Sequence, residues 1–320
     1  MKSTIWRNAL CSLVMAVLVV PTMMLSSAQA LTASPVLLDY SVDPGDTVVG
    51  TIKLRNEGTA QETYYPLIRD FVAGEDGETP SFVEPSATSS AGWASFEKSP
   101  VTIGAGEDEQ VVFRIKVPDN AAPGGHYLGL LFTNQNPSIT EGVGVSGAVG
   151  PIVLLNVSGN IIEKGSIAGF TVSPTSSTSL PVTFETRFKN AGNSHLKPQG
   201  VIIVSNWLGS TVAQIPVNTD GRNVLPNSTR QFAADWQKVE LPENASELVK
   251  EWRNFGFGPY KATLRMAYGE GQQVVAAQSS FWVMPWMLVI IAVIFLAILL
   301  VLLMQYNRWI VSRAGMRPRK

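Results

Sequence analysis

The chain has 320 residues with 24 basic and 25 acidic side chains, and its near-neutral total conceals a segregation of charge. All the acids lie between residues 31 and 282, where only 17 basic residues accompany them; the resulting net charge of −8 repels phosphate and argues against nucleic acid as a partner. The only cysteine, Cys11, lies in the first apolar segment, so the exported part has no disulfide; animal surface domains of this size usually carry them, which favours a prokaryotic surface protein.

Residues 1–30 read as a cleavable signal peptide: Lys2 and Arg7, an apolar run from Leu10 to Leu25, and the small-x-small site Ala28-Gln29-Ala30. Helical periodicity is nearly absent after that, and alternation with a period of two takes over. Val48, Gly50, Ile52 and Leu54 alternate with Val49, Thr51, Lys53 and Arg55, and Val111, Phe113, Ile115 and Val117 with Val112, Arg114 and Lys116. In a strand this places one set on an apolar face and the other in water. A Gly-, Pro- and Ser-rich insertion from Gly74 to Pro100 interrupts the first half, and loops of that length tend to carry function. Then the same unit begins again. Val182, Phe184, Thr186 and Phe188 alternate with polar neighbours, as do Tyr260, Ala262, Leu264 and Met266.

The two halves form an internal repeat. Lys53-Leu-Arg-Asn-Glu-Gly58 corresponds to Arg187-Phe-Lys-Asn-Ala-Gly192, the strand at Glu109–Val117 to that near Thr229–Trp236, and Gly125-His-Tyr127 to Gly258-Pro-Tyr260. The expected fold is mainly β: two tandem Ig-like β-sandwiches of about seven strands each, at 31–158 and 159–282, followed by one transmembrane helix. Tyr127 and Tyr260 stand where a tyrosine corner would bond back across its turn. The link from Ser158 to Ser166 is too short for a free tether, so the sandwiches are expected in near contact. In the second half, Pro242–Phe257 is the expected short helix, with Asn244 or Ser246 as cap and Leu248, Val249 and Trp252 at helical spacing.

Residues 283–306 are the expected membrane helix, because Pro285–Met304 carries no charge and no polar side chain and is long enough for a hydrocarbon core of about 30 Å. Trp282 and Trp286 at one end and Tyr306 and Trp309 at the other are membrane-interface anchors. Arg308, Arg313, Arg317, Arg319 and Lys320 make residues 307–320 a basic cytoplasmic tail, giving a single-pass cell-membrane protein with its N-terminal bulk outside.

Catalytic chemistry finds little footing. His126 and His195 lie in different repeats, and no Gly-x-Ser-x-Gly elbow, Cys–His pair or His-Glu-x-x-His motif is present. Gly142-Val-Gly-Val-Ser-Gly147 matches a dinucleotide fingerprint in letters only, because a strand-like run follows it where pyrophosphate needs a helix N-terminus. Glu75, Asp76 and Glu78 around Gly77 lack the ordered ladder of a calcium loop and read as a solvated turn. No cofactor or metal is expected. The candidate ligand contacts are loop aromatics, Trp93 and Phe96 in the first insertion and Trp252 in the second, since large rigid rings bind sugars and peptides at little entropic cost.

Four segments resemble the WxL-interacting protein family of bacterial surface proteins. They are Val42-Asp-Pro-Gly45 before the strand ending Arg55-Asn-Glu-Gly58; Ala122-Pro-Gly-Gly-His-Tyr127; Asn190-Ala-Gly-Asn193 followed by Pro198-x-Gly200; and the terminal helix. The resemblance implies an N-terminal Ig-like domain of peptidoglycan-binding type, a second Ig-like domain for host or partner binding, and a membrane anchor. It defines no ligand-contact residues. The function expected is non-catalytic: a membrane-anchored envelope protein binding cell-wall glycan (peptidoglycan) or another surface protein. The alternative is an envelope sensor or assembly component working through its helix and tail. The sequence leaves the oligomeric state open.

Overall fold

The structure, a computed structural model, describes residues 31–84, 86, 89–136 and 147–314. The signal peptide, most of the Gly142–Gly147 run and the tail positions Arg317, Arg319 and Lys320 lie outside the described residues. The first half contains β1 (Leu31–Ser34), β2 (Leu37–Val42), β3 (Thr47–Asn56), β4 (Glu62–Ala73), β5 (Pro80–Val83), β6 (Ala94–Phe96), β7 (Val101–Ile103), β8 (Asp108–Lys116), β9 (Gly124–Thr133) and β10 (Ile152–Val157). The second contains β11 (Gly165–Ser173), β12 (Ser176–Ser177), β13 (Val182–Asn190), β14 (Gln199–Asn206), β15 (Thr211–Val217) and β16 (Thr229–Trp236). Helix α1 (Glu247–Arg253), β17 (Gly258–Tyr268), β18 (Gln273–Val283) and helix α2 (Trp286–Ala314) complete it.

Each half is an Ig-like sandwich of two sheets. The first stacks β1-β3-β8-β6 on β2-β10-β9-β4-β5, with β7 beside β4; the second stacks β11-β13-β16 on β12-β18-β17-β14-β15. The repeat reaches the topology. In both halves the opening strand is split at a proline, Pro35 or Pro174, which cannot donate to a ladder. The piece before the proline pairs antiparallel in one sheet (β1 with β3, β11 with β13). The piece after it pairs parallel with the last strand of the other sheet (β2 with β10, β12 with β18). The split opening strand and the short strands of the Gly74–Pro100 insertion carry the strand number past seven.

Alternation does the folding work. On β3 and β8, Ile52, Leu54, Val111, Phe113 and Ile115 are fully enclosed while Lys53, Arg55 and Arg114 stay in water. The second core is built around Phe184, Phe188, Leu264, Met266 and Phe281. Each such side chain contributes about 1.5–3 kcal/mol on burial. Gly50 sits opposite Phe113 in the ladder, and the Phe113 ring occupies the space a Cβ would take.

The Asn-x-Gly repeat has a physical cause. Asn56 is wholly buried; its Nδ2 donates to Ala60 O (2.8 Å) and Ile103 O (3.1 Å), and its Oδ1 accepts from Gly58 N (2.9 Å). Asn190 repeats the pattern with Ser194 O (2.8 Å), Val224 O (2.9 Å) and Gly192 N (2.9 Å). One amide closes the turn and staples it to a distant segment in each sandwich.

Candidate functional site at the junction of the sandwiches

Among the described residues, one contact between the sandwiches lies at the turn after β13 and another at the β4–β5 turn. The first is assembled by Asn193, in the turn after β13. Its backbone carbonyl accepts from Gly125 N (2.7 Å), its Nδ2 donates to Pro123 O (3.3 Å) and Asn160 O (3.0 Å), and its Oδ1 accepts from Ile162 N (2.7 Å). One residue thus holds the first sandwich, the connecting segment and the second sandwich together. Ser194 Oγ adds a bond to Asn156 Oδ1 at 3.0 Å.

Beside it stands a polar chain across the junction. His195 Nε2 faces Asp39 Oδ1 at 3.3 Å, and its Nδ1 faces the Tyr127 hydroxyl at 3.5 Å. The bond from His195 holds the Asp39 carboxyl below its ordinary value, outweighing desolvation, with the nearby charges of His195 and Lys197 adding to it. Burial pushes the Tyr127 phenol well above its ordinary range. A phenol held neutral can donate a hydrogen bond, and the Asp–His–Tyr chain spans the junction, with Asp39 and Tyr127 from the first sandwich and His195 from the second.

The carboxylate's lowered pKa fixes the sign of a pH effect. A depressed pKa contributes stability that is complete above the unfolded value, near 3.8, and is lost as pH falls through the folded one. The distance between labels placed on the two sandwiches is therefore expected to broaden below about pH 4. Electron–electron double resonance measures this, and Asp39→Asn should show the broader distribution at every pH.

The second contact is the β4–β5 turn, which lies on the start of β16. Gly77 (φ +69°) packs so closely against the Thr229 carbonyl that a Cβ there would overlap it. Asp76 caps this turn, accepting from Glu78 N (2.8 Å), Thr79 N (2.9 Å) and the Thr79 hydroxyl (2.6 Å), and these bonds lower its pKa to about 2. The acidic cluster around Gly77 is thereby a turn whose central carboxylate is already used.

Between the turn and the outer face of the β11-β13-β16 sheet lies a polar groove of about 730 Å³. Glu75 and Asp76 face it from the first sandwich, and Thr171, Glu185, Arg187 and Gln231 from the second. The register sets Thr171 opposite Glu185 and Arg187 opposite Gln231, so these side chains share one face of the sheet.

The aromatics singled out from sequence lie elsewhere. Trp93 is half-buried on the first core with its ring 4.5 Å from that of His126. His126 bonds Ser90 Oγ and the Ala122 carbonyl, both at 2.9 Å. Phe96 meets Phe132 edge-on at 5.1 Å. Trp252 is 71% exposed on α1, beside the start of α2. Tyr260 accepts from the Phe257 amide at 3.0 Å, as a tyrosine corner does, whereas Tyr127 turns to His195 instead.

Helix α2 contains one stretch, Trp286–Ile310, long and apolar enough to cross a membrane, none of it buried in the protein. Trp282 is the penultimate residue of β18 and Trp286 opens the helix; Tyr306 and Trp309 stack 6.2 Å apart near its other end. The helix continues past residue 306 through Arg308 and Arg313 to Ala314, because no proline or glycine precedes Gly315 to stop it.

No family model matches the chain, and no curated protein matches it. Among solved structures it is similar to a chaperone–tip adhesin complex of CFA/I fimbriae biogenesis (10% identity, 78% of this chain and 98% of that one, TM-score 0.39). The class 5 fimbriae chaperone CfaA (11% identity, 78% and 99%, TM-score 0.37) and the Pseudomonas aeruginosa CupB2 chaperone (10%, 77% and 98%, TM-score 0.34) are further examples. TM-scores this low transfer nothing to this chain, and the sandwiches are assigned from their own ladders.

Proposed function

We propose that this chain is a non-catalytic, membrane-anchored envelope protein that binds cell-wall glycan in the groove between its two sandwiches. The observation that carries the reading is the composition of that groove: carboxylates, an arginine, an amide and a hydroxyl contributed by both halves. Glycans present many hydroxyls and acetamido groups, and they are held by such donors and acceptors on a rigid frame. The Asn193 junction supplies the rigidity, since a groove shared by two bodies has a shape only while the bodies stay fixed. The resemblance to WxL-interacting proteins, with their peptidoglycan-binding type of first domain, supports the same ligand, and the apolar α2 supports the anchorage.

Sedimentation with purified peptidoglycan sacculi tests it. The detergent-solubilised full chain is expected in the pellet, and Glu185→Ala combined with Gln231→Ala should weaken retention by about tenfold or more, the equivalent of one or two lost hydrogen bonds. Recovery of the unaltered chain entirely in the supernatant overturns the proposal.

A further inference from the structure

The foot of the second sandwich has its polarity reversed. Helix α1 turns Leu248, Val249 and Trp252 to solvent and buries Glu251 at 1% exposure. A seven-residue helix on a soluble surface does the opposite, because an enclosed carboxylate is costly and an exposed apolar face gains nothing.

Glu251 accounts for half of the reversal. Its two carboxylate oxygens accept from the backbone N–H groups of Met287 (3.2 Å) and Leu288 (2.9 Å), in the first turn of α2. The first bond within that turn runs from Val289 N to Pro285 O, so these two donors have no partner inside the helix. In a bilayer such orphans are expensive, and Glu251 both satisfies them and fixes α2 to the sandwich.

The exposed rings account for the rest. Trp252, Phe255 and Phe257 form one wall of an apolar groove of about 690 Å³, and Leu288, Val289 and Phe295 of α2 form the other. At about 1.5 Å per residue the groove follows α2 for some 15 Å, half the thickness of a hydrocarbon core. More apolar surface gathers at the same end. The register Asn206↔Tyr260 and Pro259↔Trp282 puts the exposed Trp207–Leu208 turn and Trp282 where α2 departs.

We infer that the foot of the second sandwich is sunk into the outer leaflet, with a lipid acyl chain seated in the groove between α1 and α2. The inference rests on the membrane anchorage proposed above. The occupant is lipid because the groove's second wall is the span that must itself face lipid. The groove is therefore continuous with the bilayer surface of α2, and Glu251 holds the two walls at fixed separation.

Nitroxide accessibility in the full chain tests this, in nanodiscs of phosphatidylcholine and phosphatidylglycerol. Cys11→Ser removes the only native thiol, and single labels are placed by Trp252→Cys, Phe255→Cys, Ile291→Cys and Thr219→Cys. Thr219 is exposed at the opposite end of the sandwich. Collisions with oxygen are expected to exceed those with a water-soluble nickel chelate at 252, 255 and 291, with the reverse order at 219. Nickel exposure at 252 and 255 with oxygen exposure at 291 would leave the anchor standing and overturn the embedded foot. Shielding from both reagents at 252 and 255 means that protein covers the groove, and it overturns the lipid occupant. Nickel exposure at 291 removes the anchorage itself, and the inference with it.

Discussion

Asn190→Ala is expected to destabilise the second sandwich by about 3 kcal/mol, lowering its melting temperature by roughly 10 °C. The substitution removes three hydrogen bonds at once and strands the Ser194 carbonyl and the Gly192 amide in a site with no solvent access, while the Val224 carbonyl keeps only its bond from the Leu196 amide (3.0 Å). Each orphan costs about 1–3 kcal/mol, partly offset by local relaxation. Asn190→Asp should be at least as damaging at neutral pH, because it sets a buried carboxylate against the Ser194 and Val224 carbonyl oxygens. Asn56→Ala is expected to match it in the first sandwich, where the same three bonds are made. The two effects should add, since the sites share no partner. Chemical denaturation of the single and double variants measures this; a loss below about 1 kcal/mol for either alanine would show that the staple is dispensable.

Gly124→Ala carries the second large effect, again about 3 kcal/mol, and it acts on the junction as well as on stability. Gly124 has φ +120°, a conformation closed to a residue with a Cβ, and the added carbon would lie 2.5 Å from the Asn193 carbonyl oxygen. Relieving that contact moves Asn193, and with it the Gly125 N–Asn193 O bond of 2.7 Å. Hydrogen exchange at the Gly125 amide should accelerate along with the loss of global stability. Gly147→Ala is the control. It also has positive φ, +84°, but its Cβ would meet nothing among the described residues, so it should cost only about 1 kcal/mol of backbone strain and leave the junction intact. Equal behaviour of the two variants would mean that Gly124 serves the turn alone.

The sandwiches were legible because their signals are local or repeated. Alternation on β3, β8, β13 and β17 needs only neighbours two residues apart, and Asn56 and Asn190 stand at the same place in two copies of one unit. Helix α1 was legible as a helix but not in its orientation. The spacing of Leu248, Val249 and Trp252 says that they share a face; whether that face meets a core or a bilayer depends on where α2 leaves the sandwich. Trp93 and Phe96 illustrate the same limit, since spacing alone does not show that both rings rest half-buried on the first core.

The architecture follows from pattern along the chain, because the hydrophobic effect acts on the order of apolar and polar residues. A period of two makes sandwich faces, and an unbroken apolar run makes a helix fit for a membrane. How those parts meet one another is visible only in the folded molecule. Asp39 meets His195, Gly125 meets Asn193 and Glu251 meets the first turn of α2 across long stretches of chain, with no periodicity to announce them. Such contacts are short-ranged polar bonds, set by where two finished sandwiches and a helix come to rest. They turn two repeats and an apolar segment into one braced body with a groove between its halves and a greasy foot beneath.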